Sequence, residues 1–203
     1  MVMELVIATK NRGKLVEITD LLKDLPVNVT SLADWPDIGE IEEDGETFLD
    51  NARKKARTVA LKTKKWVLAD DSGLVVAALK GEPGVKSARY AGGQGDHVAN
   101  NKKLLDVMKE IPDGRRQAYF TCAMVLVVPD GREWDVEERC EGEIGRTLTG
   151  IGGFGFDPLF YVPEMGKTMA ELPLDEKNRI SHRGKALRHI KAILADLVKK
   201  GQI

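Results

Sequence analysis

Two long runs of strand-forming residues, QAYFTCAMVLVV from Gln117 and REWDVEERCEGEI ending at Ile144, are separated only by Pro129-Asp130-Gly131. That tripeptide is a strong turn signal, and a connection this short cannot carry a parallel crossover. The two runs therefore fold back on each other as an antiparallel hairpin. Elsewhere strand and helix patterns alternate. In MELVIATKNRGKLVEITDLLKDL, Leu5 to Ala8 read as a short buried strand, and Leu15, Ile18, Leu21, Leu22 and Leu25 follow helical spacing. A second helix is expected from about Thr47 to Lys64, with Phe48, Ala52, Ala56 and Val59 on one face. A third runs from Val98 to Ile111, with Leu105, Met108 and Ile111 as its stripe. Trp66 to Leu79 is strand-like but broken at Ser72-Gly73, and Gly81 to Gly95 is a loop carrying Pro83. Two helices close the chain, the last with Ser181 as N-cap and Leu187, Ile190, Ile193, Leu194 and Leu197 at spacings of three and four. A hairpin combined with alternating strands and helices predicts an α/β protein built on a mixed sheet.

The 203 residues suffice for one domain, taken here as 1–203. A net charge of -1 argues against a protein that grips a nucleic-acid backbone, though not against a small anion held by a few local cations. No apolar run approaches the roughly 18 residues that span a bilayer. Cys122 and Cys140 read as free buried thiols, and the opening residues have no secretory hydrophobic stretch, so a cytoplasmic protein is expected.

Four stretches could carry chemistry. In ATKNRGKLVE, a polar loop joins a buried strand to a helix start, with Lys10, Arg12 and Lys14 close together and Gly13 permitting close approach. Backbone N–H groups and the positive helix end make such a place fit for phosphate, although a solvated turn has the same composition. It is not a P-loop, since Ala8 and Leu15 stand where Gly and Ser or Thr are needed. In VLADDSGLVV, Asp70 and Asp71 interrupt an apolar run. Burying acids costs free energy and marks functional sites, and Mg²⁺ takes one or two carboxylates plus substrate phosphates. The acidic run EIEEDGET from Glu40 reads either as further ligands or as the preference of a helix start for negative charge. In a regular strand Asp70 and Asp71 point to opposite faces, so only one reaches a given metal directly. GIGGFGFDP, from Gly150, suits a loop packed against a flat ligand with Phe154 or Phe156 stacking on it, or a turn whose two rings plug the core. DEKNRISHRGKAL, from Asp175, offers Lys177, His182 and Arg183 as donors near a helix junction, or as surface charge.

Together and in this order, TKNRGK, EEDGETFLDNARKKA, ADDSGL, PGVKSARYAG, QAYFTCA, GGFGFDP and EKNRISHRGKAL resemble the inosine/xanthosine triphosphate pyrophosphatase family. The likeness runs from Val6 to about Leu197. It implies an elongated mixed sheet flanked by helices, with two lobes around a central nucleotide cleft. It also implies a homodimer that cleaves ITP, dITP and XTP to monophosphate and pyrophosphate with Mg²⁺. Carried over by motif, Thr9, Lys10, Asn11, Arg12, Gly13 and Lys14 would hold the triphosphate. Asp71 would be general base and metal contact, Glu43 the second metal ligand with Glu42 as the alternative, and Asp70 a further metal or water contact. Lys55 would face the phosphates and Ser72 the substrate. Phe154 would stack on the base, with Gly155, Phe156 and Asp157 completing the pocket and Lys177, His182 and Arg183 reading the purine. A Maf-like pyrophosphatase acting on pyrimidine or modified nucleotides is the rival enzyme reading, and a non-catalytic nucleotide-binding protein on the same fold is the other.

Overall fold

A computed structural model describes residues 3–200. Its elements run β1 (Met3–Ile7), α1 (Arg12–Leu22), β2 (Val27–Ser31), α2 (Phe48–Thr63), β3 (Trp66–Val76), α3 (His97–Val107), β4 (Gln117–Val127), β5 (Glu133–Ile144), β6 (Phe160–Val162), β7 (Lys167–Thr168), α4 (Leu174–Ile180) and α5 (His182–Lys199), with short 3-10 turns between them. The seven strands form one sheet in the order β2-β1-β3-β4-β5-β6-β7. β1 pairs parallel with β2 and with β3, in the register Leu5 to Trp66 and Ile7 to Leu68. β5, β6 and β7 pair antiparallel. The hairpin closes as expected: Gly131 N donates to Val128 O (2.9 Å) and Val128 N to Arg132 O (3.0 Å). The α/β class and the mixed sheet therefore hold.

The chain divides into two compact units: 1–71, 122–138 and 183–203 form the first, and 72–121 with 139–182 the second. The first unit has two cores. Leu68, Cys122 and Met124 pack with Ile18 and Leu22 of α1 and with Leu187, Ile190 and Leu194 of α5. Val67, Ala69, Ala123 and Val125 pack with Ala52, Ala56 and Val59 of α2. Odd and even positions of β3 thus go to different helical layers, as the pleat requires. In the second unit Leu74, Val76, Leu104, Met108, Phe120, Phe156 and Phe160 share one cluster.

Two expectations are corrected. β3 does not break at Ser72-Gly73: the strand continues to Val76, Gly73 keeps strand geometry, and Leu74 N donates to Ser87 Oγ (2.9 Å). The third helix ends at Val107 rather than Ile111. The segment that follows is pinned by Arg116, a buried guanidinium whose Nη1 donates to Met108 O (2.7 Å) and Ile111 O (3.0 Å). Arg116 Nε and Nη2 donate to Ile144 O (2.6 Å) and Gly145 O (2.9 Å), so one side chain satisfies four carbonyls. Replacing Arg116 by Leu leaves these carbonyls without that donor, at about 1–3 kcal/mol for each orphaned group. Urea denaturation of Arg116→Leu should show a total loss of about 3 kcal/mol or more; a loss below about 1 kcal/mol, the scale of an ordinary surface change, would contradict the pinning role.

Candidate active site

Chain direction at the end of β1 is set by local bonds. Thr9 Oγ1 accepts from Asn11 N (3.1 Å), and Asn11 Oδ1 accepts from Lys14 N (3.1 Å), so Asn11 is the N-cap of α1. No acid lies in the first turn of α1, which leaves the positive helix end uncompensated there. Lys10 and Arg12 are exposed, Asn11, Gly13 and Lys14 are half-buried and Thr9 is buried. Lys14 turns inward: its Nζ lies 2.5 Å from Asp70 Oδ1 and 3.4 Å from Asp70 O.

Asp70 lies on the α1 and α5 side of β3. It is 1% exposed, and both its oxygens are engaged. Oδ1 accepts from Lys14; Oδ2 accepts from Arg183 Nε (2.8 Å) and from the Cys122 thiol (3.1 Å). Arg183 in turn gives Nη1 to the buried Glu17 of α1 (2.6 Å). Burial alone would raise the Asp70 pKa, but the Arg183 guanidinium and the Lys14 ammonium outweigh it and hold the carboxyl well below its usual range. The same burial, reinforced by Asp70, pushes the Cys122 thiol well up, so it stays protonated. Asp70, expected as a metal or water contact, is held in this structure by Lys14, Arg183 and Cys122. Arg183, expected as a purine contact, gives its Nε to Asp70 and its Nη1 to Glu17.

Asp71, the next residue, faces α2. Lys55 Nζ sits among the acids, 2.5 Å from Glu43 Oε1, 3.3 Å from Asp71 Oδ1 and 2.8 Å from the main-chain oxygen of Asp70. Burial raises the Asp71 pKa; Lys55 and Lys14 pull it down and Glu43 pushes it up, and the net direction is upward. Burial would lower the Lys55 pKa, but Asp71 and Glu43 reverse this and raise it. Asp71 Oδ2 and Asn51 Nδ2 are both buried and lack a well-formed hydrogen bond. Asn51 is nonetheless near enough to stabilise the Asp71 charge, while its Oδ1 accepts from Gly45 N (2.8 Å). A Cβ on Gly45 would meet Asn51 Oδ1 at 2.8 Å, so the backbone of the acidic loop needs glycine to come this close. Glu43, with a side chain 24% exposed, reaches Lys55, whereas Glu42 is exposed. Among the described residues no group of three or more His, Cys, Asp or Glu side chains is arranged to hold a metal ion.

The second unit gathers the other predicted residues. Phe154 N donates to Asp157 Oδ2 (2.7 Å), which also accepts from Lys177 Nζ (2.5 Å), and that ammonium lies 5.0 Å from the centre of the half-buried Phe154 ring. Gly153 has φ of +68°, and a Cβ there would fall 2.1 Å from Asp157 Oδ2, so the loop can close on the carboxylate only with glycine. Gly155 O accepts from Asn101 Nδ2 (2.8 Å). His182 is buried and stacked on Phe120, with centroids 4.8 Å apart and an interplanar angle of 18°. Ser72 is half-buried in β3. Phe156, expected to complete the base pocket, is 4% exposed and packs edge-on against Tyr90.

The Ham1 family's sequence model matches residues 5–193. A dITP/XTP pyrophosphatase of Desulforamulus reducens is 53% identical over 95% of this chain and 96% of its own, and one of Geobacter sulfurreducens is 51% identical over 92% and 94%. The solved structure of a HAM1 protein from Coxiella burnetii superposes with a TM-score of 0.85 at 41% identity, covering 96% of this chain and 99% of the other. The chain belongs to the Ham1 family. Within this Ham1-family fold, sequence reasoning passed over Glu17, Asn51, Asn101 and Phe120. Glu17 and Asn51 were masked by lying on helices where an acid or amide is ordinary at the surface; a buried i, i+3 or i+4 position facing Arg183 or Asp71 was the only signal.

Glu17→Gln leaves Arg183 Nη1 without its carboxylate and should lower unfolding free energy at pH 7 by about 3 kcal/mol. The Asp70 contribution has its own pH signature. Since its folded pKa is depressed, its stabilisation is complete above the unfolded value of about 3.9 and is lost as pH falls through the folded value. Urea midpoints from pH 7 down to 2 check both; an unchanged Glu17→Gln midpoint would contradict the network.

Proposed function

We propose that this chain hydrolyses the non-standard purine triphosphates ITP, dITP and XTP to the monophosphate and pyrophosphate. The observation that carries the reading is Asp71: a buried carboxylate with a raised pKa and one oxygen lacking a well-formed bond, beside Lys55 and Glu43, in a chain about half identical to dITP/XTP pyrophosphatases. Asp71 acts as general base, its Oδ2 taking the proton of the attacking water; a carboxylate pushed upward in pKa is the better base near neutrality. Lys14, the first-turn N–H groups of α1, Thr9, Asn11 and Gly13 receive phosphate oxygens, with Lys10 and Arg12 adding exposed positive charge. Ser72 contacts substrate next to Asp71.

Two carboxylates plus substrate phosphates is the usual ligand pattern of Mg²⁺. Glu43 and Asp71 fit that pattern: the single ammonium of Lys55 reaches Glu43 Oε1 and Asp71 Oδ1, so these two oxygens lie close enough to share a cation, while Asp71 Oδ2 is kept for the water. When bound, Mg²⁺ neutralises charge on the phosphate oxygens. Positioning and charge neutralisation are most of what phosphoryl-type displacement asks of a protein.

For the base, Phe154 offers its face, Asp157 fixes Lys177, and Lys177 and His182 present donors to the 6-keto oxygen. Adenine carries an amino group at that place, leaving buried donors without an acceptor, a mismatch that discriminates strongly. Arg183 supports this reading as the residue that holds Asp70. The homodimer and the cytoplasmic setting implied by the resemblance belong to the same proposal. Among the described residues no helix is long and apolar enough to cross a membrane.

Hydrolysis of ITP, XTP, dITP, GTP, ATP and CTP with Mg²⁺, with pyrophosphate and orthophosphate assayed separately, tests the proposal. Pyrophosphate from ITP, XTP and dITP, at rates exceeding those for ATP and GTP by on the order of a hundredfold or more, is expected. Orthophosphate as product, or a preference for CTP, would overturn it.

A further inference from the structure

The two acids assigned to the divalent ion are not vacant. Lys55 Nζ lies between them, bonded to Glu43 Oε1 at 2.5 Å and 3.3 Å from Asp71 Oδ1, with a third acceptor in the Asp70 main-chain oxygen at 2.8 Å. Its side chain is 8% exposed and comes from the middle of the sixteen-residue α2, so the ammonium is held there by packing as well as by charge. Asp71 Oδ2 is buried and lacks a well-formed bond. An ammonium in that position balances one of the two negative charges and repels any second cation.

We propose that Lys55 is a placeholder for the metal: its ammonium holds Glu43 and Asp71 together in the free protein and moves to the phosphate oxygens when a divalent ion enters with a triphosphate. This rests on the functional reading above and adds to it an order of events. Without nucleotide, a divalent ion gains two carboxylates but must leave a buried ammonium stripped of both its anionic partners, with only the Asp70 main-chain oxygen to accept from it, which is unfavourable. With nucleotide, the phosphate oxygens take up that ammonium and complete the ligand set of the ion. Metal and substrate then raise each other's affinity by the same factor, as linkage demands. The flexible four-carbon stem of lysine, carrying a compact charge with three rotatable donors, suits a group that changes partners; a guanidinium fork would be less free to do so.

The test reads metal binding without turnover, by titrating Mn²⁺ alone into the folded protein and following the free-ion EPR signal. The parent should bind Mn²⁺ weakly. Lys55→Met should bind it more tightly by on the order of tenfold or more, within the usual span of such couplings. Lys55→Gln serves the same purpose should the methionine variant not fold, with near-UV circular dichroism as the check on each. Lys54→Met removes a charge from the same helix, but Lys54 is exposed and pairs with Asp44, so its Mn²⁺ affinity should match the parent. Tight, micromolar Mn²⁺ binding by the parent, or folded Lys55 variants no tighter than the parent, would overturn the proposal. So would equal tightening in Lys54→Met, which would reduce the effect to net charge. A chain that hydrolyses ITP yet fails here loses only the placeholder. One that passes here but releases no pyrophosphate from ITP loses the functional reading instead.

Discussion

A carboxylate buried to 1% exposure in the middle of a sheet has to be answered by cations, and the layout of the first unit follows from how Asp70 is answered. An isolated charge there would cost several kcal/mol. Lys14 reaches it from the first turn of α1 and Arg183 from the start of α5, while Glu17 balances the guanidinium from below. Four charged side chains on three elements thereby fix the loop after β1 relative to the strand that carries the acid pair. The Lys14 position that the proposed triphosphate site needs is a by-product of this neutralisation, while the neighbouring Cys122 thiol stays protonated through burial and the Asp70 charge.

The neighbouring acid has the opposite fate. Because successive side chains of a strand alternate, Asp71 emerges on the α2 face, one oxygen near a single lysine and the other without a well-formed bond. Burial raises the pKa of both residues in principle. For Asp70 two close cations reverse it, and for Asp71 they do not. Pushing the pKa values of adjacent acids apart through environment is how one strand can supply both a fixed anion and a base. The amide Asn51 and the glycine before it belong to the Asp71 side, since Gly45 is the only residue that lets the acidic loop approach Asn51 so closely.

Much of this was legible in the residues. Helical spacing after Leu15, the Pro129-Asp130-Gly131 turn and the alternation that separates Asp70 from Asp71 are local, and local patterns survive folding. Partners distant in sequence were not legible. Glu17 and Arg183 are 166 positions apart, and neither residue type at a helix surface position announces a buried pair. Ser72-Gly73 looked like a break because glycine is usually punctuation. The strand continues because the Ser87 hydroxyl meets the Leu74 N–H, a contact no spacing could reveal. Phe154 and Phe156 carry the same residue type two positions apart, and only the turn fixed by Asp157 decides that one ring is left half-buried and the other enters the core. The end of α3 is hidden for a similar reason, since the carbonyls of Met108 and Ile111, just past its last residue, go to Arg116, a partner that helical spacing does not announce.

Two adjacent aspartates divide architecture from chemistry, and the direct comparison is Asp70→Asn beside Asp71→Asn, with urea stability and ITP turnover measured on both. Asp70→Asn should lose about 3 kcal/mol of stability because Lys14 and Arg183 lose their anion. Asp71→Asn should remain within about 1 kcal/mol of the parent while turnover falls on the order of a hundredfold or more. A stable Asp70→Asn, or an Asp71→Asn that turns over ITP like the parent, would contradict this division.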